Sequence, residues 1–378
     1  KKKDFKKEFF FKMEVGFSKK ISLFQLNDHP KPKIMFNKNY PFFTGSSKGM
    51  IKHFKEYSNW IKKNYLKKKG NLIEIGSNDG TFLSNFKNEK INTLGIEPSA
   101  NVAKVSKRRG IKTINKFFTY KNVKNIKYLK NKIDIICAAN VICHVPNLVD
   151  LIKGVNLLLN KNGFFIFEEP YLGAMYEKTS YDQIYDEHIF MFSVNSIKKV
   201  FNLFNFELIN VLPQKTHGGS MRYVIGRKGL HKINKNVFKF LKYEKKKKID
   251  SIKGCINFKK KCENSKKKLK KKIKDILNKG NKIAGYAATS KSTTILNYCD
   301  VGPELIDFIS DTTPIKQNTF TPGMHIPVLS YDYFKENIPD VIILFAWNHA
   351  NEIIQKEKDK IDKNVEWITH LPSFELKL

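Results

Sequence analysis

The sequence has little arginine, and this shortage argues against a nucleic-acid-binding role. Lysine and arginine together number 70 against 35 acidic residues, yet only four of the basic residues are arginines: Arg108, Arg109, Arg222 and Arg227. Nucleic-acid recognition relies on the bidentate guanidinium fork. The lysines are also spread along the chain, with abundant asparagine, isoleucine and phenylalanine, a composition typical of A- and T-rich codons. The net charge of +35 therefore indicates lysine-rich solvated faces, although it would also help to capture an anionic substrate.

Closely spaced cysteines and long hydrophobic runs are also absent. The five cysteines form no CxxC spacing, and an odd number in a chain of 378 residues does not predict a disulfide framework. The longest apolar runs, such as Val341–Trp347, are too short to cross a bilayer. No signal peptide is visible, although the sequence opens on Lys1, so a preceding segment could be missing. We therefore expect a protein of the reducing cytoplasm with no membrane partner.

The order of apolar and polar segments predicts an α/β protein with two lobes. Residues 1–60 are irregular and form a short N-terminal lead-in, with a helix expected from about Met50 to Lys69. Short apolar runs then alternate with helical stretches, which is typical of a parallel, doubly wound sheet. A lysine-rich segment near 232–279 predicts one or two amphipathic helices, and the alternation then resumes. We predict a first domain over 61–208 and a C-terminal, Rossmann-like α/β domain over 209–378. The expected strands are Leu72–Ile75, Thr93–Ile96, Ile133–Ala138, Phe164–Glu168, Lys282–Ala287, Leu305–Ser310 and Val341–Phe345, and the expected helices lie near Leu83–Lys87, Asn101–Arg109, Val149–Asn160 and Thr293–Tyr298.

A glycine-containing turn after the first expected strand predicts a nucleoside site. Residues 73–80 read Ile-Glu-Ile-Gly-Ser-Asn-Asp-Gly, and glycines there allow close approach of a ligand to the strand end. Glu97 follows Gly76 by twenty-one residues, a spacing that places an acid on the ribose hydroxyls. The polar centre of the turn leaves little room for a pyrophosphate and favours a small charged nucleoside such as S-adenosylmethionine; an ordinary strand-to-helix turn is the alternative. The candidate cofactor-binding residues are Glu74, Gly76, Asn78, Asp79, Gly80, Glu97, Pro98 and, from the strand ending near Ala138, Asn140.

Three further clusters carry titratable groups. His144 follows a strand end, where ligand-facing groups lie in α/β enzymes, although it could equally be a packing residue. The run Tyr185-Asp186-Glu187-His188 is flanked by apolar residues, so partial burial would shift its pKa values and a His–Glu pair could act as acid and base; a polar surface loop is the alternative. The third cluster offers backbone donors and a guanidinium for phosphate at His217, Gly218 and Arg222; a tight turn between two strands with a solvated Arg222 is the alternative.

Together these motifs resemble a family of S-adenosylmethionine-dependent sugar C-methyltransferases, which methylate a carbon of a nucleotide-linked deoxy keto-sugar. The similarity runs from about Tyr40 to Glu352. It includes EIGSNDG, GIEPSANVA, NVICHVPNL, IYDEHIFMFS, THGGSMR, GYAATSKSTTILNY and PGMHIPV. The resemblance implies a class I methyltransferase fold with a second α/β domain. It also implies that the family's catalytic residues fall on Tyr185, Glu187, His188 and His144, and that Tyr40, Lys291 and Lys316 join the third cluster in binding the substrate. For Lys291, a solvated lysine at the start of a helix is the alternative.

The sequence departs from the family at two places. The family's usual motif has histidine where Asp186 stands. In members of the family, the N-terminal segment resembles a small zinc module with paired cysteines. In this sequence no cysteine precedes Cys137. Serine and isoleucine in the matching stretch at 17–21 cannot supply the thiolates of a structural zinc site, so we expect a degenerate remnant of the module and no metal.

Methylation of carbon requires a base to remove a proton beside a ketone and a donor to hold the enolate oxygen. We predict that His188 is the base, that Glu187 orients it, and that Tyr185 or His144 donates to the enolate. The alternatives are an O- or N-methyltransferase on another polar acceptor, or a basic nucleic-acid-binding protein with a decayed methyltransferase fold. We expect a monomer or a weak homo-oligomer.

Overall fold

The structure, a computed structural model, describes residues 2–66, 69–87, 90–358, 360–361 and 365–371. The helices of this part of the chain are α1 Pro32–Met35, α2 Lys48–Asn64, α3 Ala100–Arg108, α4 Tyr120–Lys124, α5 Leu148–Leu158, α6 Leu172–Lys178, α7 Val194–Asn202, α8 Lys235–Lys247, α9 Ile252–Leu277, α10 Ser290–Cys299, α11 Tyr331–Glu336 and α12 Ala350–Lys358. The strands are β1 Val15–Ser18, β2 Leu23–Leu26, β3 Lys69–Ile75, β4 Lys90–Ile96, β5 Thr113–Ile114, β6 Ile133–Ala139, β7 Leu159–Pro170, β8 Phe190–Met191, β9 Phe206–Gln214, β10 Ser220–Arg227, β11 Ile283–Tyr286, β12 Ile309–Ser310, β13 Thr319–Phe320, β14 Pro327–Leu329, β15 Val341–Leu344 and β16 Glu366–Ile368.

The chain forms two compact units, and neither is one continuous segment. The first unit contains residues 14–172 and 187–251. The second unit contains the described residues of 1–13, 173–186 and 252–378. The chain therefore passes between units four times, and one passage falls between Asp186 and Glu187.

The first unit is built on a seven-stranded sheet in the order β5-β4-β3-β6-β7-β10-β9. The first five strands in that order are parallel, and β10 is antiparallel to both β7 and β9. The neighbouring residues Ile135 and Ile136 are both fully buried, as expected where helices cover both faces of a parallel sheet. The chain winds outward in opposite directions from the β3–β6 junction, which is the topological switch point where such sheets bind ligands. The predicted doubly wound sheet is confirmed.

The first unit extends beyond the predicted limits of residues 61 and 208. The hairpin β9–β10 adds to β7, so residues 209–251 complete the first sheet, and α8 packs against β9. At the front, α2 crosses the predicted limit at residue 61 and places Phe54, Tyr57 and Ile61 in the core of the sheet. The sequence indicates helices and strands in these regions but not the elements that they pack against or pair with. Those contacts decide where a unit ends.

Several predicted elements differ at their ends. The helix expected over Met50–Lys69 runs over Lys48–Asn64 and begins at Ser47, whose side chain accepts a hydrogen bond from the Met50 N–H. The helix expected near Leu83–Lys87 is a single 3-10 turn, Leu83–Phe86. The strand expected over Leu305–Ser310 contains only Ile309 and Ser310. The lead-in, expected to be irregular, carries a hairpin: β1 pairs with β2, and β2 pairs with β8.

The second unit is a six-stranded sheet in the order β13-β14-β12-β11-β15-β16. All neighbouring pairs are parallel except β13–β14, so the predicted second α/β domain is confirmed. The lysine-rich segment forms two helices, α8 in the first unit and α9 in the second. The buried residues of α9 repeat every three, four or seven positions and so lie along one face: Gly254, Phe258, Cys262, Leu269, Ile273 and Ile276. Among the described helices, none is long and apolar enough to span a bilayer.

Candidate functional site

The candidate site lies in the first unit, at the carboxyl ends of β3, β4, β6 and β7. These strands are parallel neighbours, so the loops that follow them meet at one edge of the sheet. That edge contains the turn after β3, Glu97 after β4, the Asn140–His144 segment after β6, and Glu168 and Glu169 near the end of β7.

The turn after β3 requires glycine at two positions. Gly76 and Gly80 have φ values of +68° and +80°, in the left-handed region that side chains rarely adopt. A Cβ at Gly76 would lie 2.4 Å from Cγ2 of Val141, and one at Gly80 would lie 2.7 Å from Oγ of Ser106. The turn therefore packs tightly against its neighbours, as a cradle for a ligand must.

Glu97 is held beside this turn by two backbone hydrogen bonds. The Asn78 N–H donates to Oε2 at 2.9 Å and the Ser99 N–H donates to Oε1 at 2.7 Å. Burial raises the pKa of Glu97, and the two backbone donors oppose that rise. Each carboxylate oxygen can accept two hydrogen bonds, so each retains one acceptor position for a ligand. Pro98 contributes its carbonyl, which accepts from Asn115 at 2.9 Å.

Glu74 is the second buried acid of the cofactor turn. Its pKa lies well above its ordinary value because of burial first and the charges of Glu97 and Asp79 second. Its Oε2 has no hydrogen-bond partner among the described residues. A buried oxygen without a partner is costly in a folded protein, and a ligand donor would satisfy it.

Asn78 and Asp79, also expected to bind the cofactor, use their side chains to fasten the lead-in. Oδ1 of Asn78 accepts from the Thr44 N–H at 3.0 Å, and Oδ2 of Asp79 accepts from the Gly45 N–H at 2.9 Å. Arg109, which the sequence analysis did not single out, lies 3.2 Å from the same Asp79 oxygen. These contacts favour a structural role for both side chains.

The segment after β6 carries Asn140 and His144. Asn140 has a φ of +55°, and its Nδ2 lies 3.0 Å from Nε2 of His217, so the structure brings a predicted cofactor residue and a predicted substrate residue together. The adjacent Gly218 also has a positive φ, +79°. His144 ends a 3-10 turn, Ile142–His144, and burial lowers its pKa to about 4, so its imidazole is neutral at neutral pH.

His188 lies against His144. The ring centroids are 5.2 Å apart with an interplanar angle of 24°, and Phe36 stacks on the other histidine, His144, at 5.5 Å. His188 is 4% exposed. The structure therefore joins two of the predicted catalytic residues in one stacked pair.

Tyr40 and Glu187 lie close to this pair. The pKa of Tyr40 is raised by burial first, then by the charges of Glu187, Glu97 and Cys143. Tyr40 therefore keeps its proton between the cofactor acid and the predicted catalytic acid. Tyr185 belongs to the second unit and is half-buried, so its expected catalytic role stays a prediction.

Arg222 differs from its expected role as a phosphate-binding fork. Its Nε donates to Oε1 of Glu168 at 2.7 Å, and its guanidinium lies 4.0 and 4.5 Å from the ring centroids of Tyr57 and Trp60. Burial alone would raise the pKa of Glu168, but His53 and Arg222 hold it below its ordinary value. Arg222 is 5% exposed, and these contacts favour a structural role.

The two predicted substrate lysines lie in the second unit. Lys291 is the second residue of α10, and its pKa is lowered by burial, against an opposing effect of Asp182. Nζ of Lys316 donates to the Ala288 carbonyl at 2.7 Å and lies 3.3 Å from Oδ2 of Asp311. Lys316 therefore braces the loop between β11 and α10.

Glu169 is the site residue that sequence reasoning missed. It is fully buried, and burial raises its pKa to about 7. Its partners are backbone N–H groups of the segment after β6, which the sequence does not display. The only available signal was an acid at the end of a buried strand.

One group of side chains has the composition of a metal site. The ligating atoms of Cys143, His144 and His188 lie within 4.8 Å of one another. Stacked imidazole rings hold their in-plane lone pairs in nearly parallel planes, which is a poor arrangement for two ligands of one ion. The expectation of a protein without a metal stays a prediction.

The sequence matches two family models and a named relative. Residues 50–211 match a methyltransferase domain family, and residues 215–372 match a family described as the C-methyltransferase C-terminal domain. The C-methyltransferase NovU of Streptomyces niveus is 27% identical over 367 residues, which cover 97% of this chain and 87% of NovU.

Solved methyltransferase structures also resemble the chain at low identity. A putative methyltransferase in complex with the Trm112 activator of Haloferax volcanii is 10% identical, with a TM-score of 0.40 over 48% of this chain and 94% of that one. Magnesium protoporphyrin IX methyltransferase of Synechocystis PCC 6803 with bound S-adenosylmethionine is 11% identical, with a TM-score of 0.37 over 48% and 80%.

The residues at the edge of the first sheet suit the methyl donor of this family. Gly76 and Gly80 give the turn its left-handed backbone, two backbone donors hold Glu97 beside that turn, and Glu74 has a buried oxygen without a partner among the described residues. The two matched models follow one another along the chain, over residues 50–211 and 215–372. The two domain matches and the likeness to NovU identify the chain as a C-methyltransferase that uses S-adenosylmethionine as its methyl donor.

Proposed function

We propose that this protein methylates a carbon beside the ketone of a nucleotide-linked deoxy keto-sugar, with His188 as the base. The observation that carries the proposal is the stacked pair of His144 and His188 at the edge of the sheet where Glu97 and the glycine turn lie. C-methylation needs a base and an enolate donor at one place, and this pair offers both.

S-adenosylmethionine supplies an electrophilic methyl group on a sulfonium. Glu97 holds the ribose hydroxyls through its remaining acceptor positions, and the turn from Gly76 to Gly80 gives the backbone close access to the ligand. Asn140, tied to His217, closes the same edge. These residues would hold S-adenosylmethionine at the edge of the sheet that also carries the segment after β6.

His188 removes the proton from the carbon beside the ketone. An imidazole is a common general base, and the neighbouring His144 is neutral because burial lowers its pKa to about 4. A neutral neighbour does not oppose the positive charge that forms on His188. Glu187 stabilises the resulting imidazolium.

His144 donates to the enolate oxygen. Its Nε2 is buried without a hydrogen-bond partner among the described residues, and a neutral imidazole with its proton on Nε2 can donate there. As the C–H electrons move onto the ketone oxygen, this donor stabilises the developing charge. The enolate carbon then attacks the methyl group, a C–C bond forms, and the sulfonium leaves as a thioether. Tyr185 is the second candidate donor.

The substrate assignment rests on the need for an acidic C–H and on charge. Only a proton beside a ketone is acidic enough for a histidine base of this kind, and the net charge of +35 favours a substrate with a diphosphate. The proposed substrate contacts in the first unit are His217, Gly218 and Tyr40. For Lys291 and Lys316 of the second unit, substrate binding stays a prediction from the family resemblance.

Deuterium exchange separates this proposal from an O- or N-methyltransferase. With S-adenosylhomocysteine in place of the methyl donor and candidate keto-sugars in deuterated water, wild-type protein should exchange the proton beside the ketone. His188→Asn should lower exchange and methyl transfer by about 10²–10⁴-fold, as expected for a general base. Cofactor affinity should remain near that of the wild type.

His231→Asn is the matched control. The His231 ring packs on Phe164 at a centroid distance of 4.3 Å, and Phe164 pairs with Ile135 near the amino end of β6, away from the site. This variant should exchange at the wild-type rate. Unchanged exchange in His188→Asn would remove His188 as the base. Methyl transfer without any wild-type exchange would point to an oxygen or nitrogen acceptor.

A further inference from the structure

The Glu169 side chain is hydrogen-bonded to the backbone segment that leads to His144. Its Oε1 accepts from the Val141 N–H at 3.0 Å and from the Ile142 N–H at 2.6 Å. The thiol of Cys143 is hydrogen-bonded to the same carboxyl group. One fully buried side chain therefore holds three consecutive residues.

These three residues need an external partner. Asn140, just before them, has a positive φ, and Ile142 starts a 3-10 turn of only three residues. The first N–H groups of a helical turn have no acceptor within the turn, and leaving them unpaired in a buried place is costly. The carboxyl group of Glu169 supplies that acceptor and so fixes the path of the turn.

The same turn also fixes the position of His188. The Cys143 carbonyl accepts a hydrogen bond from the Ile189 N–H at 2.9 Å, and Ile189 directly follows His188. His144 directly follows Cys143 in the sequence. Both proposed catalytic histidines are therefore attached to one short turn. The stacking of their rings depends on the conformation of that turn.

We propose that Glu169 is a positioning residue that sets the alignment of His144 with His188 through the turn at 141–143. Its effect on catalysis rests on the proposed function, because it assumes that this histidine pair performs the proton transfer. Its effect on the histidine rings does not depend on any substrate.

The test uses histidine ring NMR signals of the whole protein without substrate, assigned through His144→Asn and His188→Asn. In Glu169→Ala the turn loses its acceptor, so the signals of both rings should move as the stacking changes. Glu169→Gln keeps an oxygen for the two N–H groups and should restore the wild-type signals. With a keto-sugar, kcat should fall by about 10²-fold in the alanine variant, since displacement by about 1 Å can cost that much, while KM changes little.

Glu244 provides a matched control. It too is fully buried, with a pKa raised by burial to about 7, and it accepts from the Val194 N–H at 2.6 Å and the Asn195 N–H at 2.9 Å. Glu244→Ala should destabilise the fold to a similar degree without moving the two histidine signals. If Glu169→Ala loses stability as Glu244→Ala does and leaves the signals and kcat unchanged, Glu169 is only structural and the inference is wrong.

A second variant tests the proposal if Glu169→Ala does not fold. Glu169→Asp keeps the charge but shortens the side chain by one methylene, so the turn must shift to reach it. Moved ring signals would support the positioning role, and unchanged ones would overturn it. If wild-type protein processes no keto-sugar, the proposed function fails while the NMR comparison still decides the role of Glu169.

Discussion

Glu97→Ala should weaken S-adenosylmethionine binding by at least tenfold. The wild-type carboxylate is held in place before the ligand arrives, because the N–H groups of Asn78 and Ser99 each donate to one of its oxygens. Glu97 is 5% exposed, so the free-energy cost of removing water from its carboxylate arises on folding, and little of it remains for ligand binding. We therefore expect the ribose hydroxyls to meet an acceptor that is already oriented.

The magnitude follows from the hydrogen bonds lost. A hydrogen bond to a charged group contributes about 1.5–3 kcal/mol, and every 1.4 kcal/mol is a tenfold change in affinity. One such bond predicts a Kd increase of about ten- to 150-fold. Glu97→Gln keeps one acceptor oxygen without the charge and should fall between wild type and alanine. Because burial raises the pKa of Glu97, wild-type affinity should also fall at low pH sooner than for an exposed glutamate.

Isothermal titration calorimetry with S-adenosylmethionine measures this effect. Glu97→Ala also leaves the Asn78 and Ser99 N–H groups without an acceptor, so its thermal unfolding should be checked to keep the titration below the transition. Glu207→Ala, a partly exposed acid on β9, is the control and should bind like wild type. A folded Glu97→Ala protein with unchanged affinity would refute this reasoning about the cofactor acid.

Two further predictions concern stability. Because the folded-state pKa of Glu244 is raised from 4.5 to about 7, its stabilising effect is present at low pH and is lost as pH rises through 7. Glu244→Gln should therefore gain stability relative to wild type, by on the order of 3 kcal/mol between pH 4 and pH 8 in urea unfolding; a difference that does not vary with pH would contradict this. Arg222→Ala leaves the Glu168 carboxylate partly unpaired, so we expect a loss of about 3–5 kcal/mol. Lost substrate affinity at wild-type stability would instead restore the phosphate role of Arg222.

The alternation of short apolar runs and helices was sufficient to predict both sheets. Runs such as Ile133–Ala138 are buried on both faces, and that pattern appears directly in the sequence. The division into units was not predictable in the same way. Whether the β9–β10 hairpin extends the first sheet or the second depends on which edge it pairs with, and a pairing partner leaves no mark in the hairpin's own residues.

The candidate site was predicted to the extent that it depends on spacing. Glu97 was identified by its distance from Gly76, and the structure ties it to the turn that contains both Gly76 and Asn78. Glu169 was missed because its partners are main-chain groups, which any residue supplies. Arg222 was assigned to phosphate because a guanidinium beside glycines suits an anion, whereas the nearest anion is an internal carboxylate.

The four passages of the chain between units limit how this enzyme can be recombined with its relatives. A chimera joined near residue 208 would divide β9, and one joined near 251 would still leave residues 1–13 and 173–186 with the wrong partner. Transplanting the second unit from a relative therefore requires three segments to be exchanged together. We therefore expect related enzymes to differ by substitutions along the whole gene more often than by exchange of one contiguous half of the gene.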